Sequence, residues 1–207
     1  MIRFKTVKKA AEAEKTIERS RFIGHVKPVG SKAEAEAFIT EIRALYRDAT
    51  HNVPAYIVGD KSELQWASDD GEPSGTSGAP MLQMMVREGI TNIVIVVTRY
   101  FGGIKLGPGG LVRAYTSVAK LVIEKAGICE AKEMARFSAR MDYTYYGKLQ
   151  NMAAAGDFRI TDVCFDDCVN ATLLTDLEKS DDIKKSIAEL TGGSCTFSTI
   201  GIVLDYK

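Results

Sequence analysis

Residues 92–127 read NIVIVVTRYFGGIKLGPGGLVRAYTSVAKLVIEKAG, and this stretch decides the fold of the first half of the chain. Asn92–Thr98 is an almost continuous apolar run, which predicts a strand that is buried on both faces. Apolar residues then recur at helical spacing from Leu111 to Val122, which predicts a helix that ends near Gly127. A buried strand that leads directly into a long amphipathic helix indicates a mixed helix-and-strand core.

The connection between this strand and this helix is the glycine-rich segment, residues 102–110, in which five of nine residues are glycine. Glycine gives the backbone conformations that a Cβ would exclude. Exposed N–H groups beside a helix N-terminus can bind an anion, for instance the phosphate backbone of RNA, and nearby cations would add positive charge. The candidate binding residues here are Arg99, Gly102, Gly103, Lys105, Gly107, Gly109, Gly110 and Arg113.

Two further roles of this segment stay open beside phosphate contact. The spacing GGxxxGxGG is neither a Walker A loop nor a dinucleotide-binding fingerprint, so nucleotide hydrolysis is the weakest of the three interpretations. A tight strand-to-helix connection that packs against neighbouring backbone would need the same glycines. Phosphate contact and a purely structural role are therefore both compatible with the sequence.

An acidic segment, DDGEPSGT at residues 69–76, is the second candidate site. Asp69, Asp70 and Glu72 could hold a hard cation or supply an acid–base pair. His51 is the best isolated candidate base, since histidine titrates near neutral pH. Asp, Gly, Ser and Pro also build turns for backbone reasons alone, and no EF-hand spacing or GxSxG elbow is present. A structured loop is the favoured interpretation, and we assign no catalytic residue and no metal ligand.

Local patterns predict the remaining elements of the first half. Ser31 and Glu34 form a capping box, which predicts a helix from Ser31 to about Tyr46. The other expected elements are strands at Phe4–Lys8, Arg19–Val29, Ala55–Gly59 and Leu64–Ala67, of which the last two form a hairpin, and a short helix at Met81–Glu88.

The segment after Gly127 has the order strand, helix, strand, strand, helix, strand, which is the split βαβ arrangement of ferredoxin-like domains. It divides the chain into a first domain of residues 1–130 and a second of residues 131–207. The expected elements are a strand at Arg136–Asp142, a helix around Tyr145–Met152, strands at Phe158–Phe165 and Val169–Thr175, a helix around Ile183–Leu190 and a strand at Cys195–Tyr206.

Composition limits the class of protein. The chain has 207 residues, 45% of them hydrophobic and 26% charged, which excludes wholesale disorder. The longest apolar run, Ile93–Val97, is far shorter than the ~20 residues of a membrane-spanning helix, and the first residues lack a signal core. We therefore expect a cytoplasmic protein with no membrane partner. Cys164 and Cys168 alone are close among the four cysteines, so a zinc ribbon is not indicated.

The chain has no net charge, and its two parts differ only slightly in charge. Lys plus Arg and Asp plus Glu both number 27. The first 130 residues hold 18 basic and 15 acidic residues, and the remainder hold 9 and 12. This asymmetry is too small to indicate nucleic-acid binding by itself, which usually needs a clustered basic surface.

Four motifs together resemble one family. They are RSRFI at residues 19–23, ATHN at 49–52, DDGEPSGT at 69–76 and VTRYFGGIKLGPGGLVRAY at 97–115. These long, ordered motifs cover roughly residues 19 to 116, and they resemble the IMPACT family in its bacterial, two-domain YigZ-type branch.

The resemblance implies an α+β fold of two domains. The first would be similar to domain four of elongation factor G, and the second to the ferredoxin-like domain five of that factor. Eukaryotic relatives regulate translation by competing for an activator of a stress kinase. Their extra N-terminal domain is not expected here, so that kinase pathway is not carried over.

Two classes of function follow from the residues and the resemblance. The favoured hypothesis is a translation-linked binding or regulatory protein that contacts RNA, the ribosome or a translation-associated protein through the glycine-rich segment. The alternative is a small hydrolytic or phosphoryl-transfer enzyme that uses Asp69, Asp70, Glu72 and His51. A scaffold that binds a partner with its C-terminal sheet is a third hypothesis. We expect no cofactor and no sequence-specific DNA binding.

Overall fold

The computed structural model describes residues 2–206. These residues form two compact units, one of residues 2–131 together with Tyr206, and the other of residues 132–205. Both units combine helices with antiparallel strands. The predicted α+β fold class is therefore confirmed.

The first unit contains three helices and six strands, of which five form one sheet. Its strands are β1 (Ile2–Val7), β2 (Ala11–Ile17), β3 (Ser20–Pro28), β4 (His51–Val58), β5 (Leu64–Ala67) and β6 (Ile93–Tyr100). Its helices are α1 (Lys32–Leu45), α2 (Gly78–Glu88) and α3 (Gly107–Ala126). The sheet has the strand order β2-β3-β6-β4-β5, and every neighbouring pair in it is antiparallel.

Strand β6 lies in the middle of this sheet and is buried on both faces. Ile93, Ile95 and Val97 face the core that α2 and α3 cover. Val94 and Val96 face a separate core on the other side, which α1 covers. A strand between two helical layers needs apolar residues at every position, because successive side chains point to opposite faces. The prediction from the apolar run at 92–98 is confirmed.

Helix α3 packs closely against β3. A Cβ added to Gly24 in β3 would lie 3.0 Å from Val118 Cγ1 and 3.2 Å from Val122 Cβ. The α3 stripe from Leu111 to Ile123 is buried along this contact. No helix within residues 2–206 is long and apolar enough to span a bilayer.

Helix α1 begins at the predicted cap. Ser31 Oγ accepts a hydrogen bond from the backbone N–H of Glu34 at 3.2 Å. The Glu34 carboxylate accepts from the N–H of Gly30 at 2.9 Å, one residue before the N–H that a standard capping box uses. The helix predicted from the cap and the apolar spacing is confirmed.

The second unit has the predicted strand and helix order. Its elements are β7 (Ile128–Met141), α4 (Tyr143–Ala154), β8 (Phe158–Phe165), β9 (Val169–Asp176), α5 (Ser180–Leu190) and β10 (Thr196–Tyr206). Strand β9 pairs antiparallel with both β7 and β8, and β10 pairs with β7. Side chains of α4 and α5, such as Leu149 and Ile187, share one apolar core with Phe137 and Leu173 of the sheet.

Several elements differ from the sequence prediction, among them β4, which begins at His51 and not at Ala55. Strand β2, AEAEKTI, was not predicted, because its apolar residues are mostly alanines between charges and it lies at an edge of the sheet. Strand β7 begins at Ile128 rather than Arg136, and Asp142 caps α4 instead of ending the strand. Helix α2 begins at Gly78, three residues before the predicted start at Met81.

Leu149→Ala tests the core of the second unit. Leu149 is fully buried, so the truncation removes apolar contacts and leaves a cavity. We expect the free energy of unfolding to fall by about 2–5 kcal/mol, measured by urea denaturation. Gln150→Ala, at the exposed neighbouring position, should change it by less than about 0.5 kcal/mol. Equal effects of the two substitutions would contradict the assigned core.

Candidate functional site

The site is built on a row of three side chains that crosses the sheet. Arg99 in β6 lies directly opposite Phe22 in β3 and opposite His51 in β4. Directly opposite residues on neighbouring strands point to the same face of a sheet. This row therefore brings together two residues that the sequence analysis had proposed for separate motifs, Arg99 and His51.

A buried ion pair occupies the centre of the row. Arg99 Nη1 donates to Glu72 Oε1 at 2.7 Å, and the side chains are only 6% and 3% exposed. Tyr115 of α3 donates its hydroxyl to the same Glu72 oxygen at 2.7 Å. Burial, followed by the hydrogen bond to Glu72, raises the pKa of Tyr115 well above its usual value. The phenol therefore keeps its proton and remains a donor.

Arg99 has further partners around its guanidinium. Its Nη2 donates to Ser20 Oγ at 3.3 Å. The guanidinium carbon lies 5.3 Å from the ring centre of Phe22 and 5.4 Å from that of Phe101, within the range of cation–π contacts. Its buried Nε has no hydrogen-bond partner within residues 2–206. Arg99 is therefore a buried, ion-paired residue.

His51 lies beside the carboxylate of Glu72. Its Nδ1 is 2.8 Å from the backbone oxygen of Asp70, and a carbonyl oxygen only accepts, so Nδ1 carries a proton. Its Nε2 is 3.8 Å from Glu72 Oε2. The imidazole is thus oriented by one backbone contact, and its Nε2 faces the carboxylate of Glu72.

Asp69 is committed to the loop that precedes α2. Its Oδ1 accepts from the N–H of Ser77, the hydroxyl of Ser77 and the N–H of Gly78, and Oδ2 accepts from the N–H of Gly75. It therefore caps the N-terminus of α2, where Ser77 makes no side-chain cap. Burial raises the pKa of Asp69, but the hydrogen bonds from Ser77, Gly75 and Gly78 outweigh it, and the pKa is lowered overall.

Asp70 also has structural partners. Its Oδ1 accepts from Arg43 Nη2 and its Oδ2 from the backbone N–H of Asn52, both at 2.7 Å. Within residues 2–206 there is no cluster of three or more side chains suited to a metal ion. The acidic segment is a hydrogen-bonded loop in which Asp70 contacts the row only through its backbone oxygen, whereas the carboxylate of Glu72 reaches Arg99.

The glycine-rich segment lies against this row. A Cβ at Gly102 would be 2.0 Å from the backbone oxygen of Arg19, and the Gly102 N–H donates to Ser20 Oγ at 3.2 Å. Gly103 and Gly107 have φ values of 86° and 69°, which residues other than glycine rarely adopt. Thr50 Oγ1 accepts from the N–H of Phe101 at 3.0 Å. Part of the glycine content is therefore structural, as one of the interpretations held.

The other glycines lie at the open end of α3. The N-cap Leu106 has no side-chain cap, and the first turn contains no acidic residue. A Cβ at Gly109 would meet only Arg113 Nη1, at 3.6 Å, whereas one at Gly110 would lie 3.0 Å from Leu106 Cβ. Lys105 and Arg113 are exposed and have no ion-pair partner in the part of the chain that the structure describes.

A cleft of about 350 Å³ joins the two motifs. Its polar lining comes from Glu72, Arg99 and Lys105, and its apolar lining includes Phe101 and Leu111. Asp69, Asp70 and Arg113 are outside the lining. The structure therefore brings Glu72, His51, Arg99 and the start of α3 together, whereas the carboxylates of Asp69 and Asp70 bind other partners.

Comparison with known proteins agrees with this architecture. A model of the Impact N-terminal domain matches residues 18–123, which contain the row, the ion pair and the glycine-rich segment. The chain belongs to the IMPACT family. A second model, for a domain of unknown function (DUF1949), matches residues 140–194.

Individual IMPACT proteins are similar to this chain over most of their length. "IMPACT family member YvyE" of Bacillus subtilis is 39% identical over 91% of this chain and 87% of its own. "IMPACT family member YigZ" of Escherichia coli is 30% identical over 86% of this chain and 88% of its own. A solved structure described as a hypothetical protein is 28% identical, covers 97% of this chain and 98% of its own, and has a TM-score of 0.61. The resemblance found in the motifs is confirmed.

Four residues of the site were not among the candidates named from the sequence of this IMPACT protein. They are Ser20, Phe22, Phe101 and Tyr115, which surround the Arg99–Glu72 pair. Tyr115 was placed in the apolar stripe of α3, but a buried phenol usually needs a hydrogen-bond partner, and that requirement was an available signal. Ser20 had no comparable signal, because its role depends on the register of β3 against β6.

Gly102→Ala tests the structural part of the glycine-rich segment. The new Cβ would collide with backbone that cannot move independently, so we expect a loss of about 1–3 kcal/mol in unfolding free energy. Gly109→Ala is the matched control in the same segment, since it meets only the end of the Arg113 side chain. It should change stability by less than about 0.5 kcal/mol. Equal tolerance of both substitutions in urea denaturation would refute this packing.

Asp69→Asn tests the cap of α2 through its pH dependence. Because the folded pKa of Asp69 lies below the unfolded value, its contribution is present above about pH 4 and is lost as the pH falls further. The variant lacks the carboxylate, so its unfolding free energy should decrease less between about pH 6 and pH 3 than that of the wild type.

The control for this experiment is Glu41→Gln, at an exposed position of α1. It should retain the wild-type dependence of stability on acid. An Asp69→Asn variant with the full acid sensitivity of the wild type would show that the cap does not titrate in this range.

Proposed function

We propose that this IMPACT-family protein is a translation-linked binding protein that contacts RNA, free or in the ribosome, at the N-terminus of α3. The observation that carries the proposal is an uncapped helix end flanked by the cations Lys105 and Arg113, which have no ion-pair partner within residues 2–206. Backbone N–H groups and the helix dipole favour anions at this position. The link to translation comes from the family to which the chain belongs.

The surroundings of this helix end support a polymer ligand. Phe101 is 46% exposed on the same segment, and an aromatic ring beside cations is suited to unpaired bases. Arg19 is exposed, and its backbone touches Gly102, so its charge lies near the segment. Arg99 holds the segment in position, since its guanidinium binds Glu72 and Ser20, and Ser20 Oγ also accepts from the N–H of Gly102.

The enzymatic alternative has one observation in its favour, the approach of His51 Nε2 to Glu72 Oε2 at 3.8 Å. Asp69 and Asp70, which it also needs, are committed to backbone amides, Ser77 and Arg43. The geometry therefore supports binding better than hydrolysis. Turnover of a phosphoester substrate that is lost in His51→Ala would reverse this order.

A double charge reversal, Lys105→Glu with Arg113→Glu, tests the binding function. We expect weaker binding of short single-stranded RNA and of ribosomes, and a salt slope (log K against log salt) that is smaller by about 1.4 for two lost phosphate contacts on a single strand. Filter binding between about 50 and 200 mM salt measures both quantities.

The matched control reverses Arg87 and Lys125, two exposed cations at helix C-termini. Lys125 lies at the opposite end of α3, about 30 Å along the helix. The control protein has the same net charge as the test variant and should bind like the wild type. An equal loss in both variants would indicate a net-charge effect, and no loss in either would overturn the assignment to α3.

A further inference from the structure

The cleft beside the Arg99–Glu72 pair has the dimensions of a site for a small ligand. Its volume of about 350 Å³ falls within the usual range of ligand pockets. Glu72, Arg99 and Lys105 supply its polar groups, and Phe101, Leu106 and Leu111 supply most of its apolar wall. A mainly apolar cleft with a few convergent polar groups is typical of small-molecule recognition.

Two residues that line this cleft each have a polar atom without a hydrogen-bond partner within residues 2–206. Arg99 is 5% exposed, and its buried Nε is an unpaired donor. Glu72 Oε2 accepts no hydrogen bond from these residues, since the donors from Arg99 and Tyr115 both go to Oε1, and His51 Nε2 lies 3.8 Å from it. An unpaired buried donor is costly, so a ligand that satisfies it gains free energy. The half-exposed ring of Phe101 lies over the guanidinium, with its centre 5.4 Å from the guanidinium carbon, so a ligand contact with the buried Nε requires this side chain to rotate.

The start of α3 adds a third feature to the same cleft. Gly107 and Lys105 line it, and no side chain caps the helix. The first N–H groups of a helix have no partner within it and attract an anion. The cleft therefore combines an anion site, an apolar wall with an aromatic ring, and an adjacent donor and acceptor.

We propose that this cleft binds one nucleoside monophosphate unit. The edge of a nucleobase presents a donor and an acceptor side by side, which complements Arg99 Nε and Glu72 Oε2. The face of the base lies on Phe101, and the phosphate lies at the start of α3 beside Lys105. The unit comes either from an unstacked residue of RNA or from a free nucleotide, and the RNA form rests on the proposed function.

The first experiment follows the Arg99 Nε–H signal and the amides of Gly107 and Gly109 by NMR. The probes are adenosine 5′-monophosphate, adenosine and inorganic phosphate, each added to the intact protein. We expect the monophosphate to shift all three signals with one saturation curve and to bind more tightly than either fragment. An unmoved Arg99 signal, or equal affinity for inorganic phosphate, would overturn the nucleotide site.

Substitutions at Phe101 test the stacking surface. Phe101→Ala should weaken binding of the monophosphate by about 5- to 150-fold, the range expected for one stacked base. Phe101→Tyr keeps the ring and should bind as the wild type does. Ile104→Ala is the matched control, because Ile104 is exposed in the same segment but does not line the cleft. Equal losses for Phe101→Ala and Ile104→Ala would contradict the proposal.

Competition distinguishes the two sources of the nucleotide. If single-stranded RNA binds more tightly than the monophosphate and the monophosphate displaces it, the unit belongs to RNA. Tighter binding of the monophosphate identifies a free nucleotide. RNA binding that depends on Lys105 and Arg113, without any monophosphate binding, would overturn the nucleotide site in the cleft but not the proposed function. Monophosphate binding without RNA or ribosome binding would overturn the proposed function and support the nucleotide site in the cleft.

Discussion

The buried salt bridge between Arg99 and Glu72 holds the whole site in place. It joins the end of β6 to the loop before α2, and Tyr115 ties α3 to the same carboxylate oxygen. Removing two charges from water costs several kcal/mol per ion, and the additional donors and the flanking rings of Phe22 and Phe101 help to offset that cost. Loss of one partner would leave the other as an uncompensated buried charge, at a cost of about 3–5 kcal/mol.

Around the salt bridge, the residues of the motifs divide into those that are held by contacts within the protein and those that face solvent. Arg99, Glu72 and Asp69 are fixed by hydrogen bonds inside the protein, and Gly102 is fixed by its approach to Arg19. Lys105 and the first turn of α3 are then left facing solvent on a rigid base. A binding surface gains affinity when its groups are held in position before the ligand arrives. In the proposed function, Asp69 and Gly102 therefore help to hold this surface in position without touching the ligand.

Much of the fold could be predicted from local patterns. The apolar run of β6, the stripe of α3 and the cap at Ser31 each carry their structural information within a short window of sequence. Strand β2 has no such signal, since charges interrupt its few small apolar residues. The site was harder to predict from the sequence than the fold, because the proximity of Phe22, Arg99 and His51 depends on the register of three strands. Register is set by tertiary packing, and no spacing within one motif encodes it.

The hydrogen bonds around Arg99 also bear on the order of folding. Arg99 and Glu72 are 27 residues apart, Tyr115 and Glu72 are 43 apart, and Arg99 and Ser20 are 79 apart. Contacts between distant parts of a chain require loop closure before they return any stabilisation, and they slow folding. The cleft therefore takes shape only when β3, β6 and α3 have already assembled. A nascent chain on the ribosome therefore forms this cleft only after α3, the last of these segments, has emerged.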